Sequence, residues 1–473
     1  MRHVAIVGGG ITGLATAWHL IHGAQAADGV EVTLIESSPH AGGKLRATAF
    51  AGHTVDVGAE AFLARTSHTE RLARAVGLGD DLVAPATSTV YLWTRGRLRR
   101  LPEGTVLGVP TAVWPLLRSG ALSTGGALRA GMDLVLPRAS WRGDRSVADL
   151  VGERFGQEIV DVLVDPLLGG VYAGDPARLS LEATSPLLHA AAQGGRSLLR
   201  ELRRARRRVT ADGPMFLTVE GGMGHLAQRL HDRVADRGDV RLGQPAQRLE
   251  RGVAGRLRVV LAEGDAVEAD HVVLAVPAYV AAELVRDLVP EVAAGLREIA
   301  YASVATVSLA YERADVGHPL DGSGMLVPSR EGRTVKAATF VSSKWPHQSD
   351  PHRVLIRASA GRVGQHMLAR SDEELSAAVH RDLAEALDIS GEPVSTMVTR
   401  WDRALPQYEV GHLDRIAGIR AQLAATDGCQ GLHLAGAAYD GVGVASCVAR
   451  AESLATALTG GGTSSRARVP GEG

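Results

Sequence analysis

The sequence predicts an α/β protein in which a Rossmann-like dinucleotide-binding domain carries an inserted mixed or antiparallel-sheet substrate domain and a helical subdomain. Three observations lead there. The chain opens on strand, glycine turn and helix, "HVAIVGGGITGLATAWHL"; its second half holds a series of β-branched runs; and near the far end "GLHLAGAAYDGVGVASCVARAESLATAL" repeats the order strand, glycine turn, helix. At 473 residues the chain is long for one hydrophobic core, so several domains are expected.

The elements follow in order. "HVAIV" reads as a short buried strand, "ITGLATAWHLIHG" has helical spacing and "VEVTLIE" is a second strand, which closes a βαβ unit within residues 1–89. Residues 90–209 are richer in helix formers and carry "GVPTAVWPLLRSGALSTGGALRAGMDLVLP", a predicted helical subdomain. Residues 210–280, with "VRLGQPAQRLERG" and "LRVVLAEGDAVEADHVVLAVP", return to the nucleotide domain. Residues 281–400 supply the substrate sheet through "ASVATVSLAYE", "GMLVPS", "TVKAATFVSS" and "RVLIRASA". Residues 401–460 complete the nucleotide domain, and 461–473, without periodic apolar pattern, are expected to be disordered.

Composition narrows the function. A formal net charge of -1 argues against a nucleic-acid binder. Two cysteines, Cys429 and Cys447, supply neither a disulfide framework nor a Cys-rich zinc site. The strand at the N-terminus leaves no room for a secretory signal, and no apolar run is long enough to span a bilayer, so a cytoplasmic location is expected. G-x-S-x-G, H-E-x-x-H and C-x-x-C are missing, and His225 with His231, or His347 with His352, has no recognised ligand spacing; no metal is expected.

The glycine turn is the first candidate site. Gly8, Gly10 and Gly13 fit G-x-G-x-x-G between strand and helix: one permits the turn, one the approach of a pyrophosphate, one close packing of helix on strand. Glu36 ends the second strand where an acid accepts hydrogen bonds from an adenosine ribose and repels a 2'-phosphate. Two features select flavin over nicotinamide. Gly42 and Gly43, then Gly58, leave backbone room soon after the ribose acid, and the distant turn beginning at Gly436 returns to the same domain, so the cofactor is long.

With these residues in view, the chain resembles the flavin-containing amine oxidase and porphyrinogen oxidase superfamily. Within it, "VDPLLGGVYAGDPARLSLEATSP" is similar to the oxygen-dependent protoporphyrinogen and coproporphyrinogen oxidases of haem synthesis, and "GAEAFLARTSHTERLARAVGL", "GSGMLVPS" and "RWDRALPQYEVGHLDRI" extend the match over all but the tail. The resemblance implies FAD held by Gly8, Gly10, Gly13, Glu36, Gly42, Gly43, Lys44, Gly58, Ala59 and Glu60. It places Ala246 at the adenine, Trp401 near the flavin, and Val442, Gly443 and Val444 over the far end of the cofactor. For substrate it implies Leu167, Ala173, Gly324 and Leu326 against the tetrapyrrole face. Ser323 departs from relatives that carry a bulky aromatic there, which predicts a roomier pocket.

The implied reaction takes six hydrogens from a porphyrinogen in three two-electron rounds, each closed by O2 with release of H2O2. The cofactor carries the redox step, so the protein needs an apolar cavity and orientation, not a nucleophile, and no catalytic side chain is assigned. Propionates need partners, and Arg65 is the first candidate, against a solvated loop arginine. Tyr172 is read as packed core. The basic run Arg196 to Val209 is either a solvated helix face or a docking surface for an acidic partner or an anionic membrane. A ferrochelatase is the implied docking partner, and prolines and polar residues in the helical subdomain limit membrane contact to the periphery. Coproporphyrinogen III is the expected substrate; protoporphyrinogen IX, an amine or polyamine, and a non-catalytic porphyrin carrier stay open.

Overall fold

The computed structural model describes residues 2–23, 29–138, 140–208 and 213–460; the predicted tail 461–473 lies outside them. A five-stranded parallel sheet forms the centre of the nucleotide domain. Its order is Asp239–Arg241, Val30–Ile35, Arg2–Val7, His271–Leu274, Leu432–Leu434. Numbered along the chain that order is 3-2-1-4-5, with the first strand central, as in dinucleotide folds. Strands so placed are covered on both faces and read as continuous apolar runs: Val4, Ala5, Ile6 and Val7 are all buried.

Helices Ile11–His22, Met223–Ala235 and Val444–Thr459 share one core with the sheet. On the other face lie the antiparallel strands Ala246–Arg251, Leu257–Leu261 and Ala266–Ala269 and helices Ala278–Leu284, Pro290–Arg297 and His412–Ala425. Residues 281–297, expected in the substrate sheet, therefore belong to this core: Leu284, Val292 and Leu296 pack with Val272 and Leu434.

The second sheet has seven strands in the order Ser395–Pro406, Tyr301–Glu312, Arg353–Ala360, Val335–Phe340, Gly324–Leu326, Val90–Thr94, Arg97–Arg100. All neighbours are antiparallel except Val90–Thr94 with Gly324–Leu326. Helix Asp372–Leu387 covers one face, fixed at its start by a capping box of Ser371 and Glu374. Two expected boundaries shift here. The stretch predicted to be helical from 90 opens with a hairpin, because Val90, Tyr91 and Trp93 favour strand and Arg95 and Gly96 turn with positive φ. Ser395–Pro406 crosses the expected border at 400 because it pairs with nearly the whole of Tyr301–Glu312.

Helices Trp114–Ser119, Thr124–Gly131, Val147–Phe155, Asp165–Tyr172, Pro186–Gly194 and Leu198–Arg208 form the helical subdomain, whose core includes Leu116, Leu150, Phe155, Leu168 and Leu202. Among the described residues no helix is long and apolar enough to cross a membrane.

Candidate cofactor and substrate site

Gly8, at φ +111, ends the first strand in a conformation that favours glycine, and a Cβ on Gly13 would stand 1.9 Å from the Gly8 carbonyl oxygen. The helix that follows has Gly10 as its N-cap and no side chain capping it, so its first-turn N–H groups remain for a ligand. A Cβ on Gly10 would meet nothing within 4 Å. Helix Val444–Thr459 likewise has no capping side chain and has as its N-cap Gly443, where a Cβ would also meet nothing within 4 Å. The two helices share a core, and Gly436 lies beside Thr12, with 3.5 Å from its Cβ position to Thr12 Oγ1. A glycine turn from the first part of the chain and one from its last part thus border one candidate groove.

Glu36 lies against the glycine turn. Its Oε2 accepts from the backbone N–H of Gly9 at 2.6 Å, and its Oε1 from the backbone N–H of Ser38 at 2.8 Å and the Ser37 hydroxyl at 3.2 Å, so Oε2 keeps a lone pair for a hydroxyl donor. Gly243 and Gln244 donate to the carbonyls of Ser38 and Glu36, and Ala246 follows two residues on, at the start of the strand that pairs with Leu257–Leu261. Gly42 donates to the Gly9 carbonyl at 2.8 Å, and Gly43 stands against Gly10. Lys44 has no carboxylate within ion-pair reach among the described residues, and burial pushes its ammonium pKa down. Open glycines, an uncapped helix, an acid at the end of the second strand and a buried lysine fit a dinucleotide with its pyrophosphate.

The segment after Lys44 crosses the second sheet. Trp401 Nε1 and Thr306 Oγ1 both donate to the Val57 carbonyl, and Arg357 donates to the carbonyls of Asp56 and Gly58 at 2.7 and 2.9 Å. Ala59 donates to the Lys44 carbonyl. Glu60 is not free: Arg357 Nη2 stands 2.6 Å from one carboxylate oxygen and Lys344 Nζ bonds the other. Burial alone would raise this carboxyl, but Arg357 and then Lys344 hold it at about 2. The sheet is thereby riveted to the nucleotide domain.

Ala173 closes the helix Asp165–Tyr172 in a left-handed conformation, φ +50, and packs with Ala302 and Val304 in a small cluster that Trp401, Val363 and Leu405 join. Leu326 and Val442 both pack against the helical core that holds Leu168, and a Cβ on Gly170 would lie 3.7 Å from Leu326. Gly324 admits no side chain, since a Cβ would come within 2.2 Å of the Ala338 carbonyl oxygen. Leu167 is half-buried on the same helix. Ser323 spends its hydroxyl on the Thr89 carbonyl at 3.0 Å. Arg65 is exposed, and no hydrogen-bond partner holds it among the described residues. Tyr172 is buried beside Tyr408, and burial pushes its phenol up to about 12.

Arg357 and Lys344 escaped sequence reasoning, although one signal was present: Arg357 is a charge inside the apolar run "RVLIRASA". Asp440 escaped too; it accepts from the Gly436 N–H at 3.2 Å and pairs with Arg420 at 2.6 Å, which holds the C-terminal turn. Among the described residues no three His, Cys, Asp or Glu side chains gather as a metal site.

The fold and the groove define a flavin-dependent oxidoreductase. The chain belongs to the flavin containing amine oxidoreductase family, which matches residues 11–459. Its relatives include coproporphyrinogen III oxidase of Bacillus subtilis, 32% identical over 97% of this chain and 98% of that protein, and of Mycobacterium leprae, 36% identical over 97% and 98%. It is also similar to bovine protoporphyrinogen oxidase, 30% identical over 97% of this chain and 98% of that protein. A crystal structure from Exiguobacterium sp. 255-15, named for protoporphyrinogen oxidase, superposes with a TM-score of 0.85 at 33% identity, covering 97% of this chain and 98% of the other.

Proposed function

We propose that the protein is an FAD-dependent coproporphyrinogen III oxidase that uses O2 and releases H2O2 in haem synthesis. The observation that carries this reading is the packing of Ala173, within the segment 164–186, with Trp401 and with the aliphatic Ala302, Val304, Val363 and Leu405, which supports an apolar substrate face beside the expected flavin end. Similarity to coproporphyrinogen oxidases along 97% of the chain supports it. Gly8, Gly10 and Gly13 would hold the pyrophosphate, with Lys44 as its counter-charge, Glu36 the ribose and Ala246 the adenine. Gly42, Gly43, Gly58, Ala59, Trp401 and the 436–444 turn would hold the rest.

Bound FAD supplies a two-electron acceptor. Leu167, Ala173, Gly324 and Leu326 would orient the macrocycle in a dry cavity, and Arg65 would meet a propionate. The balance is one porphyrinogen and three O2 giving one porphyrin and three H2O2. A ferrochelatase is the partner that this reading implies for the product, in the cytoplasm.

An aerobic fluorescence assay with peroxide measured in parallel tests the assignment. The expected result is a higher kcat/KM for coproporphyrinogen than for protoporphyrinogen, with three peroxides per porphyrin. Preference for protoporphyrinogen overturns the substrate, turnover of amines alone overturns the reaction class, and porphyrin binding without turnover leaves a carrier.

A further inference from the structure

Away from the dinucleotide groove, a cleft of about 670 Å³ opens between the edge hairpin of the seven-stranded sheet and the helical subdomain, lined by Arg95, Arg97, Arg99, Leu122, Ser123 and Thr124 among others. Strand alternation puts Arg97 and Arg99 on one face of Arg97–Arg100 and Arg100 on the other. The outward residue is neutralised: Arg100 Nη2 lies 3.0 Å from Asp321. The inward ones are not. Among the described residues no carboxylate pairs with Arg95, Arg97 or Arg99.

Two acids near the cleft are committed elsewhere. Glu158 accepts from the Ser123 N–H at 2.7 Å and from its hydroxyl at 2.6 Å, and Glu331 accepts from Thr94 Oγ1 at 3.3 Å. Arg95 Nη1 donates to the Leu122 carbonyl at 3.2 Å, which holds its guanidinium at the wall. Arg99 Nε is buried with no partner. Burial, then the charges of Arg97 and Arg95, push the Arg99 guanidinium below its usual range. Three like charges share one concavity, and the ligand-free protein bears their repulsion.

We propose that this cleft is an anion site, distinct from the cofactor groove, for a small ligand carrying two or more phosphate or carboxylate groups. Guanidinium forks match both groups in planar, two-point contacts. A single negative charge leaves two of the three arginines unneutralised, whereas a polyanion meets all three. The volume lies within the range of about 300–1,000 Å³ common to small-molecule sites. The site stands whatever the protein oxidises, because it rests on none of the groups in the groove.

Calorimetric titration of the flavin-loaded protein at constant ionic strength, with inorganic pyrophosphate in one arm and citrate in the other, tests the site. Saturable binding of pyrophosphate, citrate or both is expected, and the arm that binds more tightly tells phosphate from carboxylate. Arg97→Gln combined with Arg99→Gln should weaken that binding about tenfold or more, while Arg100→Gln, on the opposite face, should change it less than about twofold. Arg97→Gln alone, at an exposed position, carries the same comparison if the double variant folds poorly. Saturable binding by neither probe, or binding that survives the arginine substitutions, overturns the proposal.

Discussion

Gly10 and Gly13 belong to the same turn and make opposite demands. A methyl at Gly10 points into open space and one at Gly13 collides with the Gly8 carbonyl. Gly10→Ala should therefore keep the apoprotein's melting temperature within a degree or two and weaken flavin binding about tenfold or more by crowding the pyrophosphate, whereas Gly13→Ala should compromise folding itself. Fluorescence titration of apoprotein with flavin, beside a melting curve, separates the two. Glu36→Ala should cost about 1.5–3 kcal/mol of flavin affinity, the range for hydrogen bonds to a charged acceptor. Glu60 acts on stability. Its carboxyl falls from 4.5 to about 2 on folding, so its contribution is fully present above pH 4.5 and is lost as pH falls through about 2. The shift corresponds to about 3 kcal/mol. Glu60→Gln should lose about that much at pH 7, and urea midpoints measured down the acid limb should show the loss shrinking toward pH 2.

At the scale of elements, the basic helix Leu198–Arg208 is positioned by a buried acid. Asp133 accepts from the Leu199 N–H at 2.9 Å and the Ser197 hydroxyl at 2.7 Å, and pairs with Arg154 Nε at 2.6 Å with both side chains buried. Leu198, Leu199 and Leu202 are buried while Arg200, Arg203, Arg204, Arg206 and Arg207 face solvent, so the arginine run is the outer face of an amphipathic helix. Breaking the pair strands a buried charge. Asp133→Ala should cost roughly 3–5 kcal/mol, read as a lower denaturant midpoint and faster proteolysis near 196–208. Asp133→Leu with Arg154→Met should recover most of the loss. Flavin content should survive both, since the element lies outside the groove.

For the whole molecule, the parallel sheet collects its strands from segments between Arg2 and Leu434, and the groove draws on residues from Gly8 to Val444. A ligand that touches all of these segments holds them together. Stripping the flavin should lower the melting temperature, and flavin at a hundredfold its Kd should restore about 2.7 kcal/mol; differential scanning calorimetry with graded flavin checks both. An apoprotein whose melting does not respond to added flavin would place the cofactor elsewhere.

The nucleotide fold, the flavin class and four strands of the seven-stranded sheet were readable from sequence because each rests on local rules: glycine spacing sets backbone geometry, and apolar periodicity sets strand or helix. The same local reading located Gly8, Gly10, Gly13 and Glu36, which the structure sets around one turn. The joints between segments were not readable. Glu60 meets Lys344 across 284 residues, and Arg357 reaches the Gly58 carbonyl across 299. Nothing in the spacing of such residues records the pairing. The hairpin at 90–100 and the helices at 278–297 were likewise assigned to a sheet and a core by packing, because an amphipathic segment specifies which face it buries and not which partner covers it. Tertiary structure alone decided that Ala173 lies with Trp401, that Ser323 turns its hydroxyl to the backbone, and that Arg95, Arg97 and Arg99 share a cleft without a counter-charge among the described residues.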